Sequence, residues 1–532
     1  MGMSAEAPPV SVSPSGGVRP LKDFGDWMSP MLVKELRMGL KSPFFVWGLL
    51  GVQLLLAVLS LMFAGKGGGE DMGIVFWWCL AGPVCLLLPL RLSAALREEM
   101  GGNTMDTLVL TRLSGWRIVL GKWVATAALQ VLLAMTVLPY LILRYFAGGI
   151  DVVQEIAWLG LFLLLGLTAS AVLLGLSFLK YFLLRAAVLL AVLLPTFVVC
   201  GGSIFQIAEQ RYGIESLHDD IGTAGVWYCV VLLVWAIFFF LDLGASQLAP
   251  DSENRATPRR LAAMVMVPVA TVLAVYSKEN DIREAGGFVA VGAALLTVVQ
   301  AMSEQPAHLR PLVLPFARRG FFGRLAGRVL LPGWHTGLIY ATLWVLAAAG
   351  VMAVFVAYNG SRNPVSLRVD VLMAATACFG ALGFFVFPIG LAGIFRKLAS
   401  WNFWWWLAAT AIGAVVSGIV LALLETFPSR GMMLLSMLWP GGGIVAPAMA
   451  EEMAGDLMRV RLGRDGYYSS GWYELRQGMV LELMPPVLSV ALISGLVWWL
   501  AALWFGRREF GTLRAVEREI ATAKEGGEST RL

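Results

Sequence analysis

Apolar residues in this chain come in continuous runs of about 20, the length a helix needs to cross a hydrocarbon core of ~30 Å. Six such runs lie at 44–63, 73–96, 118–143, 157–179, 184–204 and 224–243. The polar, turn-rich and basic stretch 244–260 (GASQLAPDSENRATPRR) then reads as a boundary. Six more runs follow at 261–276, 286–302, 337–357, 371–395, 403–424 and 482–505. Between the last two, the apolar stretch 431–447 is broken by Pro440 and the glycines after it. It reads as a re-entrant hairpin, because broken backbone at membrane depth is tolerated where it packs against protein. The pattern predicts an all-α polytopic membrane protein with about 12 transmembrane helices, six plus six. A β-barrel would show short alternating segments instead. The first module is 44–260, and the second, more divergent one is 261–532 with its hairpin.

Two shorter patterns are amphipathic. Over 26–43, Trp27, Met31, Leu32, Leu36 and Leu40 recur at near-helical spacing, interrupted by Lys34, Glu35, Arg37 and Lys41. This stretch is too charged to span and predicts an interfacial helix, with Ser29 and Pro30 as cap and first turn. Residues 1–25 are rich in Pro, Ser and Gly and read as a disordered tail. Over 303–336, Phe316, Phe321, Phe322, Leu325 and Val329 alternate with Arg318, Arg319, Arg324 and Arg328. That basic amphipathic pattern suits an anionic lipid surface.

Composition agrees: 58% of the 532 residues are hydrophobic and 14% charged, where soluble domains carry about a quarter. The net charge of +5 is explained by placement. With the N-terminus inside, the inner segments of the first half hold 14 Lys and Arg, from Arg19 to Arg260, against Lys66, Arg144 and Arg211 outside. The hairpin reading returns the basic C-terminal tail to the same side. The expectation is a cell (inner or cytoplasmic) membrane protein with both ends cytoplasmic, and no nucleic-acid partner is implied. The five cysteines have no paired spacing and the three histidines form no metal pattern. Ionisable residues within the spans are few, which disfavours an ion-coupled carrier. Gln53, Gln130, Thr136 and Ser177 read as helix–helix hydrogen bonds.

One segment says more than "membrane protein". Between the second and third runs lie Arg97-Glu98-Glu99, Gly102-Asn103-Thr104-Met105-Asp106-Thr107-Leu108, Leu110-Thr111-Arg112-Leu113-Ser114 and Ile118-Val119-Leu120-Gly121-Lys122. In order and spacing this resembles the cytoplasmic loop of ATP-binding-cassette exporter permeases of the six-span type V class, and Ser29–Arg37 is similar to that family's interfacial helix. Arg112 stands where the family usually has proline, and Asn103 is an extra polar residue. The resemblance implies a cytoplasmic coupling helix that docks on a separate ATPase subunit. Met105, Leu108 and Leu113 would be its apolar anchor, with Glu98, Glu99, Asp106 and Arg112 as the polar rim. Thr104 would cap the helix beginning at Met105, Thr111 and Ser114 would belong to the following turn, and Lys122 would snorkel to the interface. Pro30, Lys34, Glu35 and Arg37 would belong to the interfacial helix.

Neither Gly65-Lys66-Gly67 nor Gly121-Lys122-Trp123 has the spacing or the Ser/Thr of a phosphate loop. The chain is therefore expected to be no enzyme and to bind no cofactor, ATP being handled by the partner. Membrane lipids, a second copy or a second permease are further partners in this picture. A membrane enzyme using the acids of 448–481, or a non-transporting assembly subunit, are the alternatives.

Overall fold

The computed structural model describes residues 30–63, 71–92, 114–147, 152–177, 214–249, 253–277, 293–359 (apart from 295), 364–394 and 472–525, with isolated positions between 406 and 454. Among the described residues the secondary structure is helical and no strand occurs. Eight of these helices are long and apolar enough to cross a membrane, or nine if one bent pair counts as a span. The runs expected at 184–204 and 431–447, and most of 403–424, lie outside the described residues.

The chain divides into two compact units, Met1–Gln210 and Arg211–Leu532. The first contains α1 (Pro30–Lys41), α2 (Pro43–Phe63), α3 (Asp71–Ala81), α4 (Gly115–Ala147) and α5 (Val152–Leu176). Ser42 separates α1 from α2 and caps the latter, its Oγ accepting the Phe45 N–H at 3.2 Å. Beyond Ala81, α3 widens into a π-helical stretch, Gly82–Leu87, with Pro83 in its first turn. The core is aromatic: Phe76 meets Trp77 edge-on at 5.5 Å, and Trp77 packs on Phe162 at 5.1 Å. At the α4–α5 turn, buried Arg144 pairs with Glu155 at 2.8 Å and lies over Phe76.

The second unit contains α6 (Ile214–Leu248), α7 (Ala256–Val275), α8 (Arg310–Ala317), α9 (Gly320–Leu330), α10 (Trp334–Asn359), α11 (Pro364–Ile394) and α12 (Trp472–Glu525). Helix thus occupies both ends of 244–260, the stretch that reads as a boundary. Glycines set the closest approaches, as membrane helix packing favours. A Cβ on Gly337 would stand 2.2 Å from the Ala301 carbonyl oxygen, and one on Gly495 2.8 Å from that of Phe379. Gly390 lies against Trp498 and Gly393 against Phe505, so α11 and α12 run parallel, with Ile394 and Trp472 at opposite ends of the pair. Trp499 donates to Thr342 at 3.0 Å and Trp334 lies beside Gly506, so α10 runs antiparallel to α12. At 54 residues, α12 is about 80 Å long, far more than the ~30 Å of a hydrocarbon core. Its polar final third extends past the spanning part and packs on α8 through Leu513, Ile520, Leu312 and Val313.

Candidate functional site

Of the residues singled out in the loop, Glu98, Glu99, Thr104, Met105, Asp106, Leu108, Thr111, Arg112 and Leu113 lie outside the described residues. The structure does describe the two walls that hold this loop's neighbours. Ser114 stands one residue before α4, its carbonyl accepting the N–H groups of Arg117 and Ile118. Pro30 opens α1, on which Lys34 and Arg37 are exposed. Lys122 differs from the snorkelling expectation. It is only 2% exposed, and its Nζ binds Glu35 Oε1 at 3.0 Å. A charge so far out of water needs a partner close by, and α1 supplies it. Gly39 lets α1 lie against Leu129, where a Cβ would approach Leu129 Cδ1 to 2.8 Å. The amphipathic leader is therefore fastened along the first turns of α4.

The π-helical stretch lies on the helix that precedes the same loop. A π turn leaves the helical hydrogen-bond ladder irregular. Here the Val84 carbonyl accepts from Gln130 Nε2 at 2.9 Å, and the same nitrogen donates to Ser170 Oγ at 3.0 Å. Gly166 packs so closely that a Cβ would sit 2.8 Å from both Val84 Cγ1 and its carbonyl oxygen. Gln53 similarly reaches Thr136 Oγ1 at 2.8 Å. These are the interhelical bonds that the polar positions suggest. Ser177 instead bonds the Leu174 carbonyl within its own helix turn.

The second unit holds a polar site that the sequence reading missed. Asp242 on α6 meets Arg259 at 3.1 Å and Arg255 at 3.8 Å. Glu304 meets Arg260 at 2.6 Å and Arg259 at 3.6 Å, and Glu253 pairs with Arg255. Three guanidiniums thus face three carboxylates, with Arg260 1% and Asp242 1% exposed. Arg260 also donates to the Val329 carbonyl at 2.6 Å, to Thr336 Oγ1 at 3.1 Å, and to the Ala301 and Gly333 carbonyls at 3.4 Å. Thr257 takes the Leu330 carbonyl at 2.9 Å. The carbonyls at the end of α9 are therefore capped by side chains of α7.

That capping fixes a bend of 94° between α9 and α10. Gly333 makes the bend with φ 133°, a region other residues rarely enter. Nearby, His308 shares a 2.9 Å hydrogen bond with Glu509, while His335 is buried and neither ring nitrogen meets a hydrogen-bond partner. Among the described residues no group of three His, Cys, Asp or Glu side chains could hold a metal ion. The cluster ties α6, α7 and the segment before α8 together through its ion pairs. A sequence signal for it exists: Asp242 sits at the end of an apolar run, where an acid calls for a named partner, and ArgAlaThrProArgArg follows 13 residues later, at 255–260.

The helices and their hydropathy define a polytopic, multi-pass membrane protein. Searches of family models, curated proteins and solved structures return no match to this chain.

Proposed function

We propose that the chain is the membrane-spanning permease subunit of an ATP-binding-cassette exporter, driven by an ATPase on a separate subunit. The observation that carries this reading is the ordered motif of 97–122, fused directly to the residues that fasten α1 to α4. A push delivered there would reach α1 and α4 together through Lys122 and Glu35, and α3 through the π-helical stretch. The cargo is a hydrophobic or amphipathic molecule, in keeping with spans lined by Leu, Trp, Phe and Met. Both chain ends lie on the cytoplasmic side of the cell membrane, where the ATPase docks. The chain itself performs no hydrolysis and holds no ATP.

Co-expression with a cassette ATPase encoded beside the permease, followed by pull-down and transport into inverted vesicles, tests the proposal. Leu108→Arg combined with Glu98→Arg abolishes association and ATP-driven transport if the reading is right; retention of both sinks it. A second reading, a non-transporting assembly subunit, draws on the second unit. Its segment 303–336 occupies the corresponding place but lacks the glutamates and the Thr-Leu pattern of 97–122. Transport activity in the reconstituted pair decides between the two.

A further inference from the structure

We infer that α9 is an in-plane membrane anchor. Its outer face inserts among the acyl chains of one leaflet, and its arginines hold anionic lipid headgroups. This inference does not depend on the transporter reading.

The helix has three distinct faces. Gly323 and Gly327 are buried against Phe316 of α8, where a Cβ on Gly323 would stand 2.2 Å from the Phe316 carbonyl oxygen. On the opposite side, by helical periodicity, Phe321 is 71% exposed, Phe322 79% and Leu325 51%. Arg324 is exposed and Arg328 half-buried on one flank, and Arg318 and Arg319 are exposed in the turn before the helix. Two neighbouring phenylalanines left this open are costly in water and ordinary at a bilayer boundary.

The geometry places that apolar face toward the bilayer. α9 leaves the spanning bundle at the bend beside Trp334, which is level with Gly506 of α12. Its protein-side neighbour, α8, packs on Leu513 and Ile520. Those residues lie about 10 and 20 Å further along α12, away from the spanning part. α8 therefore covers the outward side of α9, and the Phe face looks back toward the hydrocarbon. The 94° bend lays α9 across the direction of α10. Arg260 and Thr257 hold it there by the carbonyls of Val329, Leu330 and Gly333.

Charge selects the occupant. No acidic residue falls between Arg310 and Leu330, so a second copy of this face would meet like charge. Anionic headgroups beside acyl chains match both the arginines and the phenylalanines, whereas an acidic protein surface would leave the phenylalanines wet.

The test uses the full chain in nanodiscs of phosphatidylcholine, with and without phosphatidylglycerol, in a background whose cysteines are replaced. Spin labels on Phe321→Cys, Phe322→Cys and Leu325→Cys should be several-fold more accessible to oxygen than to a water-soluble nickel chelate. A label on Arg319→Cys should show the reverse. Phosphatidylglycerol should slow label motion, and Arg318→Gln/Arg319→Gln/Arg324→Gln should remove that lipid dependence while leaving label depth unchanged. Arg260→Lys should broaden the depth distribution. Equal access to both reagents would mean a solvated helix, and shielding from both would mean a protein partner or second copy; either result overturns the inference.

Discussion

One buried ionic arrangement from each unit of this molecule invites comparison, because the two are built on different principles. In the first unit, Lys122 and Glu35 form an ion pair, 87 residues apart in sequence, that joins a leader helix to a span. In the second, three arginines and three carboxylates from α6, α7 and the segments around them share partners, and one guanidinium also caps a neighbouring helix end. An ion pair can be exchanged as a unit, since neutral residues of similar shape often replace both partners at little net cost. A network is harder to exchange, because each substitution also changes the surroundings of the charges that share its partners, and here one guanidinium holds backbone carbonyls as well. The first design permits local adjustment; the second makes a fixed joint.

Breaking the network should have the largest effect. Arg260→Met removes the closest partner of Glu304, leaving it Arg259 at 3.6 Å, and takes the donor from four backbone or hydroxyl acceptors; it should lower unfolding stability in detergent by roughly 3–5 kcal/mol. Adding Glu304→Gln should not restore it, because the Val329, Ala301 and Gly333 carbonyls still lack the guanidinium that holds them. Lys122→Met should cost about 2–4 kcal/mol by the same measure, and here the double variant with Glu35→Leu should recover most of the loss. If Arg260→Met is rescued as readily as Lys122→Met, the contrast between network and pair is wrong. Gln130→Leu should cost roughly 1–3 kcal/mol, since it leaves the Val84 carbonyl and Ser170 without their shared donor. The smallest effect belongs to Gln53→Leu, about 0.6 kcal/mol, the usual size of a hydrogen bond between membrane helices. A larger value would mean that α2 depends on that bond more than on its apolar packing.

Much of the helical pattern was legible because a span advertises itself by length and composition. The run at 44–63 reappears as α2 with its start one residue earlier, and that at 371–395 as α11, which begins seven residues earlier at Pro364. The amphipathic leader and the Phe–Arg alternation before Leu330 were equally readable, since 3.6-residue periodicity needs no tertiary knowledge. The ion network was not readable. Its members come from residues 242, 253–260 and 304, and polar residues in a row look the same whether they are solvated or folded onto distant acids. Lys122 escaped for a related reason: a lysine at a span end has two outlets, and only the position of Glu35 decides between them. Nine of the eleven coupling-loop residues lie outside the described residues, and their assignment rests on sequence order.

The π-helical stretch in α3 has a consequence for how force could travel. A π turn carries one residue more than an α turn, so side chains beyond Leu87 are offset in phase by about 100° from where an uninterrupted helix would aim them. Shifting that surplus residue by a turn would rotate the end of α3 that leads into 97–122 like a screw. The half above Gly82 would keep its seat against Phe162. Gln130, gripping the Val84 carbonyl from the neighbouring helix, is the detent that sets which of these angular positions is occupied.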